Sequence, residues 1–211
     1  QGLQDFIASA DVFSLEFENT PVADVDVLTQ TKTLHPPRLA LATAQNRLAE
    51  KALFDQLAIP VAPYRAVDSL ESLKQAVAEL GLPIVLKTVT GGYDGKGQFV
   101  LRSEDQIDTA WAELGPAKSL IAESFVKFSR EVSIIAVRGQ NGDVKTWALA
   151  ENHHHNGILS HSIVPAPNST DLQPVAQDYI TRLLNHLNYV GVLTLELFVT
   201  EQGLYANEMA C

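Results

Sequence analysis

Cysteine, basic residues and long apolar runs are all scarce in this sequence of 211 residues. Its single cysteine, Cys211, cannot form an internal disulfide, which favours a reducing compartment and predicts a cytoplasmic location. Lysine and arginine number 15 against 25 aspartates and glutamates, and the net charge of −10 has the wrong sign for nucleic-acid phosphates or an anionic membrane. Apolar runs of the roughly 18 residues that span a membrane are missing, as is a signal-peptide pattern. We therefore predict a soluble protein that binds neither nucleic acid nor membranes.

Alternating helix and strand patterns predict an α+β fold. A helix begins at Ser69, where apolar residues start to recur at helical spacing. An apolar strand (83–89), a glycine-rich loop and a second strand (98–102) then form a hairpin. The strand at 11–19 would carry Glu16 and Glu18 on one face, because side chains alternate along a strand. Further strands are predicted at 119–126, 131–138, 144–150, 190–200 and 204–209, and further helices at 44–57, 103–114 and 172–187.

The loop inside the hairpin contains four glycines within residues 91–97. Closely spaced glycines let backbone N–H groups point together at an anion, so the loop is a candidate phosphate-binding lid. It lacks the spacing of a Walker loop, and a strand rather than a helix follows it. A flexible hairpin tip would explain the glycines equally well. Lys87, near the end of the preceding apolar strand, favours phosphate binding because a lysine in such a strand needs an anionic partner.

Glu196 and Glu208 lie on the last two predicted strands. A three-residue turn at 201–203 would pair Thr200 with Leu204 and bring Glu196 opposite Glu208. Like charges at the ~4.5–5.5 Å of a directly opposed pair destabilise a sheet, so a compensating cation is expected. Mg²⁺ usually takes one or two protein carboxylates and completes its shell with water and phosphates. A solvated hairpin with two tolerated glutamates is the alternative, and Lys87 with the glycine loop favours the metal site.

A lysine-bearing strand, a glycine-rich hairpin and a terminal carboxylate pair together resemble the ATP-grasp superfamily, whose two α+β lobes hold Mg·ATP between them. Nearly the whole chain is similar to one of its families, the 5-(carboxyamino)imidazole ribonucleotide synthases, which are the ATPase subunits of phosphoribosylaminoimidazole carboxylase. The resemblance rests on strings in matching order and spacing: LEFEN (15–19), NRLAEK (46–51), LKT (86–88), GYDGKGQ (92–98), REVS (130–133), NHHHNGIL (152–159), YVGVLT (189–194) and NEMA (207–210).

The resemblance implies roles for individual residues. Arg47 and Lys87 would contact the ATP phosphates and serve as the catalytic residues. The lid would close over the phosphates, residues 123–126 would read adenine and Glu131 would hold the ribose. The implied ATP-binding residues beyond Arg47 and Lys87 are Gly92, Tyr93, Asp94, Gly95, Lys96, Gly97, Gln98, Glu123, Ser124, Phe125, Val126, Glu131, His154, Asn207 and Glu208. The ribonucleotide would contact Glu16, Tyr93 and Lys96, with Glu18 a weaker candidate, and Mg²⁺ would bind Glu196 and Glu208.

The implied activity is ATP- and bicarbonate-dependent carboxylation of 5-aminoimidazole ribonucleotide through carboxyphosphate, a step of purine biosynthesis. The implied partners are these small-molecule substrates and a second copy of the chain in a homodimer. Other ATP-grasp ligases, such as formate-dependent glycinamide ribonucleotide transformylases or biotin carboxylases, share the ATP residues and are the enzymatic alternative. A non-catalytic nucleotide-binding module is the alternative from another class.

The resemblance also implies a domain division. Residues 1–43 would be the remainder of a Rossmann-like N-terminal domain, and 44–211 the ATP-grasp domain. Its small lobe would span about 65–125 and its large lobe about 126–211 together with 44–64. The family continues past NEMA into a bicarbonate-handling segment and a C-terminal domain, so we expect the C-terminal part to be missing after Cys211 and the chain alone to show little activity.

Overall fold

The computed structural model describes residues 2–15, 17–91, 97–117, 119–155 and 157–211. Its N-terminal part packs short helices around the parallel strands β1 and β2, which α2 connects. Phe13, Val25 and Leu41 belong to the apolar core of this part. The elements are α1 (Gly2–Ala8), β1 (Val12–Ser14), α2 (Val22–Thr29), β2 (Thr33–His35) and α3 (Arg38–Ala44).

The strand predicted to carry Glu16 and Glu18 is shorter than expected. β1 ends at Ser14, where its pairing with β2 also ends. A turn follows, in which the Thr20 amide and hydroxyl both donate to the Phe17 carbonyl, at 3.1 and 2.6 Å. Glu18 therefore lies in a turn, and Glu16 lies outside the described residues.

Helix α4 (Arg47–Gln56) begins three residues later than predicted. The Asn46 side chain accepts a hydrogen bond from the Ala49 amide at 3.0 Å and so caps the helix. This cap separates α4 from α3 and fixes the position of Arg47 at the first turn.

A small antiparallel sheet follows, with strand order β3–β6–β4–β5. Helices α5 and α6 pack on it around Leu73, Ile84 and Leu101. The helix predicted to begin at Ser69 is present as α5, and the Ser69 hydroxyl caps it by accepting a hydrogen bond from the Ser72 amide. The elements are β3 (Tyr64–Val67), α5 (Leu70–Leu80), β4 (Ile84–Thr88), β5 (Gln98–Leu101), α6 (Ile107–Leu114) and β6 (Leu120–Ser124), with 3₁₀ turns at Glu104–Gln106 and Gly115–Ala117.

The C-terminal part forms a large antiparallel sheet with the order β10–β9–β7–β11–β12, and β8 pairs with β7. Helix α7 covers one face, where alternate residues of β7 and β11 are buried in the core. The opposite face turns towards the small sheet. The elements are β7 (Arg130–Arg138), β8 (Val144–Thr146), β9 (Ala150–His155), β10 (Ile158–Ile163), α7 (Gln173–His186), β11 (Gly191–Thr200) and β12 (Gly203–Ala210).

The prediction of a single strand at 144–150 is wrong, because β8 ends after three residue pairs with β7. The Trp147 amide still donates to Ile135 at 3.0 Å, and the chain then re-enters the sheet as β9 from Ala150. None of the helices in the described part of the chain is long and apolar enough to cross a bilayer.

Candidate active site

A cavity of about 580 Å³ lies between the small sheet and the free face of the large sheet. Most of the residues that the sequence assigned to nucleotide and metal line it. These are Arg47, Lys87, Gly97, Gln98, Phe125, Glu131, His154, Glu196, Asn207 and Glu208. The sequence did not assign the other lining residues, which are Val85, Val100, Phe128, Gly157, Leu159 and Phe198.

Strand register explains why the small-sheet side of the cavity is apolar at one end and charged at the other. On β4 and β5, Val85 pairs with Val100, and two residues further on Lys87 pairs with Gln98. Paired and alternate residues share a sheet face, so an apolar pair and a polar pair stand side by side. Such a surface can accept a molecule with a flat apolar part and an anionic part.

The large-sheet side repeats this division. Phe198 pairs with Glu131, and Glu196 pairs with Ser133 across β11 and β7. The Phe198 ring also stacks on the Phe128 ring, with 4.6 Å between centroids. An aromatic wall therefore lies beside a carboxylate-rich one.

Lys87 has its anionic partner within the chain. Its ammonium donates to Glu123 Oε2 at 3.1 Å, so the need for an anion, which favoured phosphate at the sequence level, is met in part by a protein carboxylate. Burial works to raise the pKa of Glu123, but the nearby Lys51 and Lys87 ammonium groups outweigh it and hold the pKa below its usual value. Glu123 Oε1 is buried without a hydrogen-bond partner among the described residues.

Lys51 and Glu50 extend this charged cluster under the cavity. Lys51 Nζ donates to the Asn207 carbonyl at 2.7 Å and lies 3.9 Å from Glu123 Oε2. The Glu50 carboxylate accepts from the Met209 amide at 2.7 Å. Burial raises the pKa of Glu50 to about 8, against the effects of this hydrogen bond and of Lys51.

Arg47 stands where the first turn of α4 meets the end of β4. Its backbone amide donates to the Val89 carbonyl at 3.0 Å, and its Nη1 donates to the Thr88 carbonyl at 3.1 Å. These bonds tie the small sheet to α4 and direct the guanidinium to the cavity that it lines with Lys87.

The predicted pairing of the last hairpin is wrong near its turn. Thr200 pairs with Gly203 rather than Leu204, so the turn contains two residues, and the register shifts between Leu195 and Leu197. Because of this bulge, two residues of β12, Asn207 and Glu208, stand opposite Glu196. The bulge restores the predicted register beyond it, which explains how Glu196 and Glu208 become neighbours despite the different turn.

Glu196 lies in a crowded set of carboxylates. Burial, together with the Glu208 and Glu131 charges, raises its pKa to about 7, while a hydrogen bond with the Asn207 side chain opposes the rise. The pKa of Glu131 is raised too, mainly by burial, although His154 lowers it. His154 Nδ1 lies 3.4 Å from Glu131 Oε2. This mutual repulsion is what a bound cation would relieve.

The carboxylate oxygens at this wall suit a hard divalent cation that takes only some of its ligands from the protein. Within the described ranges, no group of three or more His, Cys, Asp and Glu side chains forms a metal site by itself. Mg²⁺ keeps several water or phosphate ligands and needs only one or two carboxylates. Glu196 and Glu208 supply oxygen ligands of this type on one wall of the cavity.

Other residues predicted for the site either do not line the cavity or lie outside the residues that the structure describes. Glu123 is buried beneath the cavity, and Ser124 and Val126 are not among its lining residues, whereas Phe125 is. The lid residues Gly92, Tyr93, Asp94, Gly95 and Lys96, together with Glu16, lie outside the described residues.

Glu18 lines a second cavity of about 280 Å³ on the other side of Arg47. Glu50 and Glu208 also line it, so the two cavities share Arg47 and Glu208. Burial raises the pKa of Glu18, which accepts a hydrogen bond from the Cys211 amide at 3.3 Å.

Lys51 and Glu50, which belong to the charged cluster beneath the cavity, were not identified from the sequence. They fall within the NRLAEK string (46–51), but that match assigned a role to Arg47 alone. Of the other lining residues, Val85 could have been found from its alternation with Lys87. Phe128 and Phe198 carry no local signal, since their contact joins distant segments.

A sequence profile of the ATP-grasp domain matches residues 52–211. The chain therefore belongs to the ATP-grasp family, and the predicted α+β fold of that family is confirmed.

Within that class, the chain is similar to N5-carboxyaminoimidazole ribonucleotide synthases. The synthase of Brucella melitensis is 44% identical over 213 residues, which cover 100% of this chain and 59% of the relative. The crystal structure of the Thermus thermophilus synthetase is 42% identical with a TM-score of 0.92, and the match covers 99% of this chain and 56% of that one.

The structure of the Staphylococcus aureus synthetase complexed with ADP is 30% identical with a TM-score of 0.92, and the match covers 99% of this chain and 55% of that one. These matches confirm the resemblance that the sequence motifs indicated. The chain spans little more than half the length of each of these relatives.

Proposed function

We propose that the protein containing this chain carboxylates 5-aminoimidazole ribonucleotide at the expense of ATP and bicarbonate, in purine biosynthesis. The observation that carries the proposal is the divided cavity. Val85 and Val100 form its apolar end, and Lys87 lies at its charged end, next to Arg47. This division suits a nucleotide whose base packs on the apolar pair and whose phosphates meet the cations.

The similarity to carboxyaminoimidazole ribonucleotide synthases supports the choice of acceptor. The ADP in the Staphylococcus aureus relative supports the choice of nucleotide. We assign Arg47 and Lys87 to the phosphates, and Glu131 and His154 to the nucleotide side of the large sheet. Glu196 and Glu208 would hold Mg²⁺, which would neutralise phosphate charge when bound.

The reaction needs positioning and charge neutralisation rather than a covalent protein nucleophile. A bicarbonate oxygen attacks the γ-phosphorus, the bond to the β–γ bridging oxygen breaks, and ADP leaves with that electron pair. The carboxyphosphate releases phosphate and CO₂, and the exocyclic amine of the ribonucleotide attacks the carbon and loses a proton. Lys87 and Arg47 would stabilise the negative charge on the phosphoryl oxygens during the first step.

The second cavity, which Glu18 lines, is our candidate for the acceptor side because it adjoins Arg47 and Glu208. Glu16, Tyr93 and Lys96 remain predicted contacts of the ribonucleotide. The domain division at residues 43 and 44, the homodimer and the cytoplasmic location also remain predictions from the sequence.

The test is ATP hydrolysis by the purified full-length protein, with each substrate omitted in turn. We expect turnover only with both bicarbonate and aminoimidazole ribonucleotide, and transfer of labelled bicarbonate carbon to the amine. ATP turnover that needs formate and glycinamide ribonucleotide would assign the protein to another ligase. Nucleotide affinity without any turnover would instead indicate a binding module.

A further inference from the structure

Lys51 is a buried ammonium group to which the proposed reaction gives no direct part. Its side chain is 2% exposed. Beyond the 2.7 Å bond to the Asn207 carbonyl, Nζ lies 3.5 Å from the Ala206 carbonyl and 3.9 Å from Glu123 Oε2. Burying a charge is costly, and a well-packed apolar side chain at such a place is often as stabilising. Its presence calls for a reason besides stability.

The contacts of Lys51 join the two walls of the cavity. Asn207 belongs to β12 of the large sheet, whereas Glu123 belongs to β6 of the small sheet. Lys51 itself lies on α4, which packs against β12. One ammonium group thus contacts both sheets directly beneath the space between them.

On the small-sheet side, Lys51 shares a single carboxylate oxygen with Lys87. Glu123 Oε2 lies 3.1 Å from Lys87 Nζ and 3.9 Å from Lys51 Nζ. Without Lys51, that carboxylate would have Lys87 as its remaining lysine partner and would hold it more strongly. A phosphate approaching Lys87 would then compete with a buried carboxylate that has lost one of its two ammonium partners.

On the large-sheet side, Lys51 holds the bulge that carries the carboxylate pair. The Asn207 carbonyl that it binds lies within the register shift that sets both Asn207 and Glu208 opposite Glu196. A bulge leaves backbone groups outside the regular ladder, so an extra donor to one of them stabilises this local geometry.

We propose that Lys51 is a positioning residue that sets Lys87 for phosphate and Glu208 for the metal at the same time. This inference rests on the proposed function, since it assumes that nucleotide and Mg²⁺ bind at this cavity. Lys51 acts through Glu123 on one side and through the Asn207 carbonyl on the other, and it touches no substrate.

The experiment measures ADP binding by calorimetry in EDTA and in Mg²⁺, using the full-length protein. Lys51→Met should weaken metal-free ADP about tenfold, the scale of one charge-assisted hydrogen bond. It should also reduce the gain in affinity that Mg²⁺ provides about tenfold, by the same reasoning. Lys74→Met is the matched control, because Lys74 is exposed on α5 and its loss removes the same charge far from Glu123.

A double variant separates the two effects. Adding Glu123→Gln to Lys51→Met removes the carboxylate that would hold Lys87, so metal-free ADP affinity should return to within about threefold of wild type. The Mg²⁺ gain should stay reduced, because the Asn207 carbonyl still lacks its donor. The double variant also removes one cation and one anion together, which leaves the buried net charge unchanged and favours folding.

Several results would overturn the inference. One such result is a folded Lys51→Met variant whose ADP affinity, and whose increase in that affinity with Mg²⁺, both equal those of wild type. Another is a loss of ADP affinity that parallels the loss of unfolding free energy and is not restored when Glu123→Gln is added. If Lys51→Met does not fold, the double variant is compared with Glu123→Gln alone, and an equal Mg²⁺ gain in both refutes the role. Wild-type protein that binds no ADP would overturn the proposed function as well, whereas ADP binding without carboxylation would overturn only that function.

Discussion

Replacing Glu196 by glutamine should stabilise the protein in the absence of metal and nucleotide while weakening its response to Mg²⁺. Burial, followed by the charges of Glu208 and Glu131, raises the pKa of Glu196 from 4.5 to about 7. The folded chain therefore holds this proton more tightly than the unfolded chain does. Glutamine never ionises, and its carbonyl oxygen can still accept the hydrogen bond from Asn207.

The sign of the pH dependence follows from the raised pKa. Below about pH 4.5 the carboxyl is protonated in both states and costs the fold nothing, whereas above about pH 7 it is ionised in both and the full destabilisation is present. At ~1.4 kcal/mol per pH unit, the upper limit for the gain in unfolding free energy at pH 8 is about 3 kcal/mol. For a chain of this size, that limit corresponds to a rise in Tm of about 6–12 °C.

The assay is urea and thermal unfolding of wild type and Glu196→Gln in EDTA, from about pH 5 to pH 8, the range over which the linkage acts. The stability difference should grow with pH across this range. Glu201→Gln is the control, since Glu201 is exposed in the turn of the same hairpin. In a second arm, the variant should lose most of the Mg²⁺-dependent gain in ADP affinity. Equal stability of variant and wild type at pH 8, or an equal loss of stability at every pH with unchanged Mg²⁺ response, would refute the reasoning.

Two further substitutions test other parts of the structure. Lys87→Ala should lower nucleotide affinity by at least ~10-fold, while the unfolding free energy falls by only about 1 kcal/mol, because Glu123 keeps Lys51 as a partner. Calorimetry measures the nucleotide affinity, and urea unfolding measures the stability. A larger loss of unfolding free energy than of binding free energy would contradict this prediction. Ser69→Ala should cost about 1 kcal/mol of unfolding free energy, since the cap over the Ser72 amide is lost, without changing ADP affinity; an altered affinity would show that α5 influences the cavity.

Elements with local signals were predictable from the sequence. The helix beginning at Ser69 combines a capping residue with helical apolar spacing, and the structure confirms its start. The strand containing Lys87 is apolar and bounded by proline and glycine, and it forms the predicted hairpin with β5. In both cases the information lies within about a dozen neighbouring residues, so no distant contact was needed.

Features set by distant contacts were not predictable. Glu50 and Lys51 have the composition of a solvated helix face, and their burial depends on β12, more than 150 residues away. The predicted register of the last hairpin was wrong near the turn for a different reason. It was obtained by counting residues outwards from the turn, so an error in the length of the turn shifts every predicted pair along both strands. Glu196 and Glu208 became neighbours only because the bulge compensates for the shorter turn.

The charge balance around the cavity explains why a metal belongs in the proposed chemistry. Among the residues that the structure describes, the lysine and arginine side chains of the cavity and of the buried cluster beneath it are Arg47, Lys51 and Lys87. Lys51 and Lys87 are partly neutralised by a buried carboxylate, and further carboxylates line the opposite wall. With a net charge of −10, the chain as a whole repels a polyphosphate rather than steering it. Recognition of a nucleotide would therefore depend on these few local cations and on a divalent cation that turns the repulsive wall of Glu131, Glu196 and Glu208 into an attractive one.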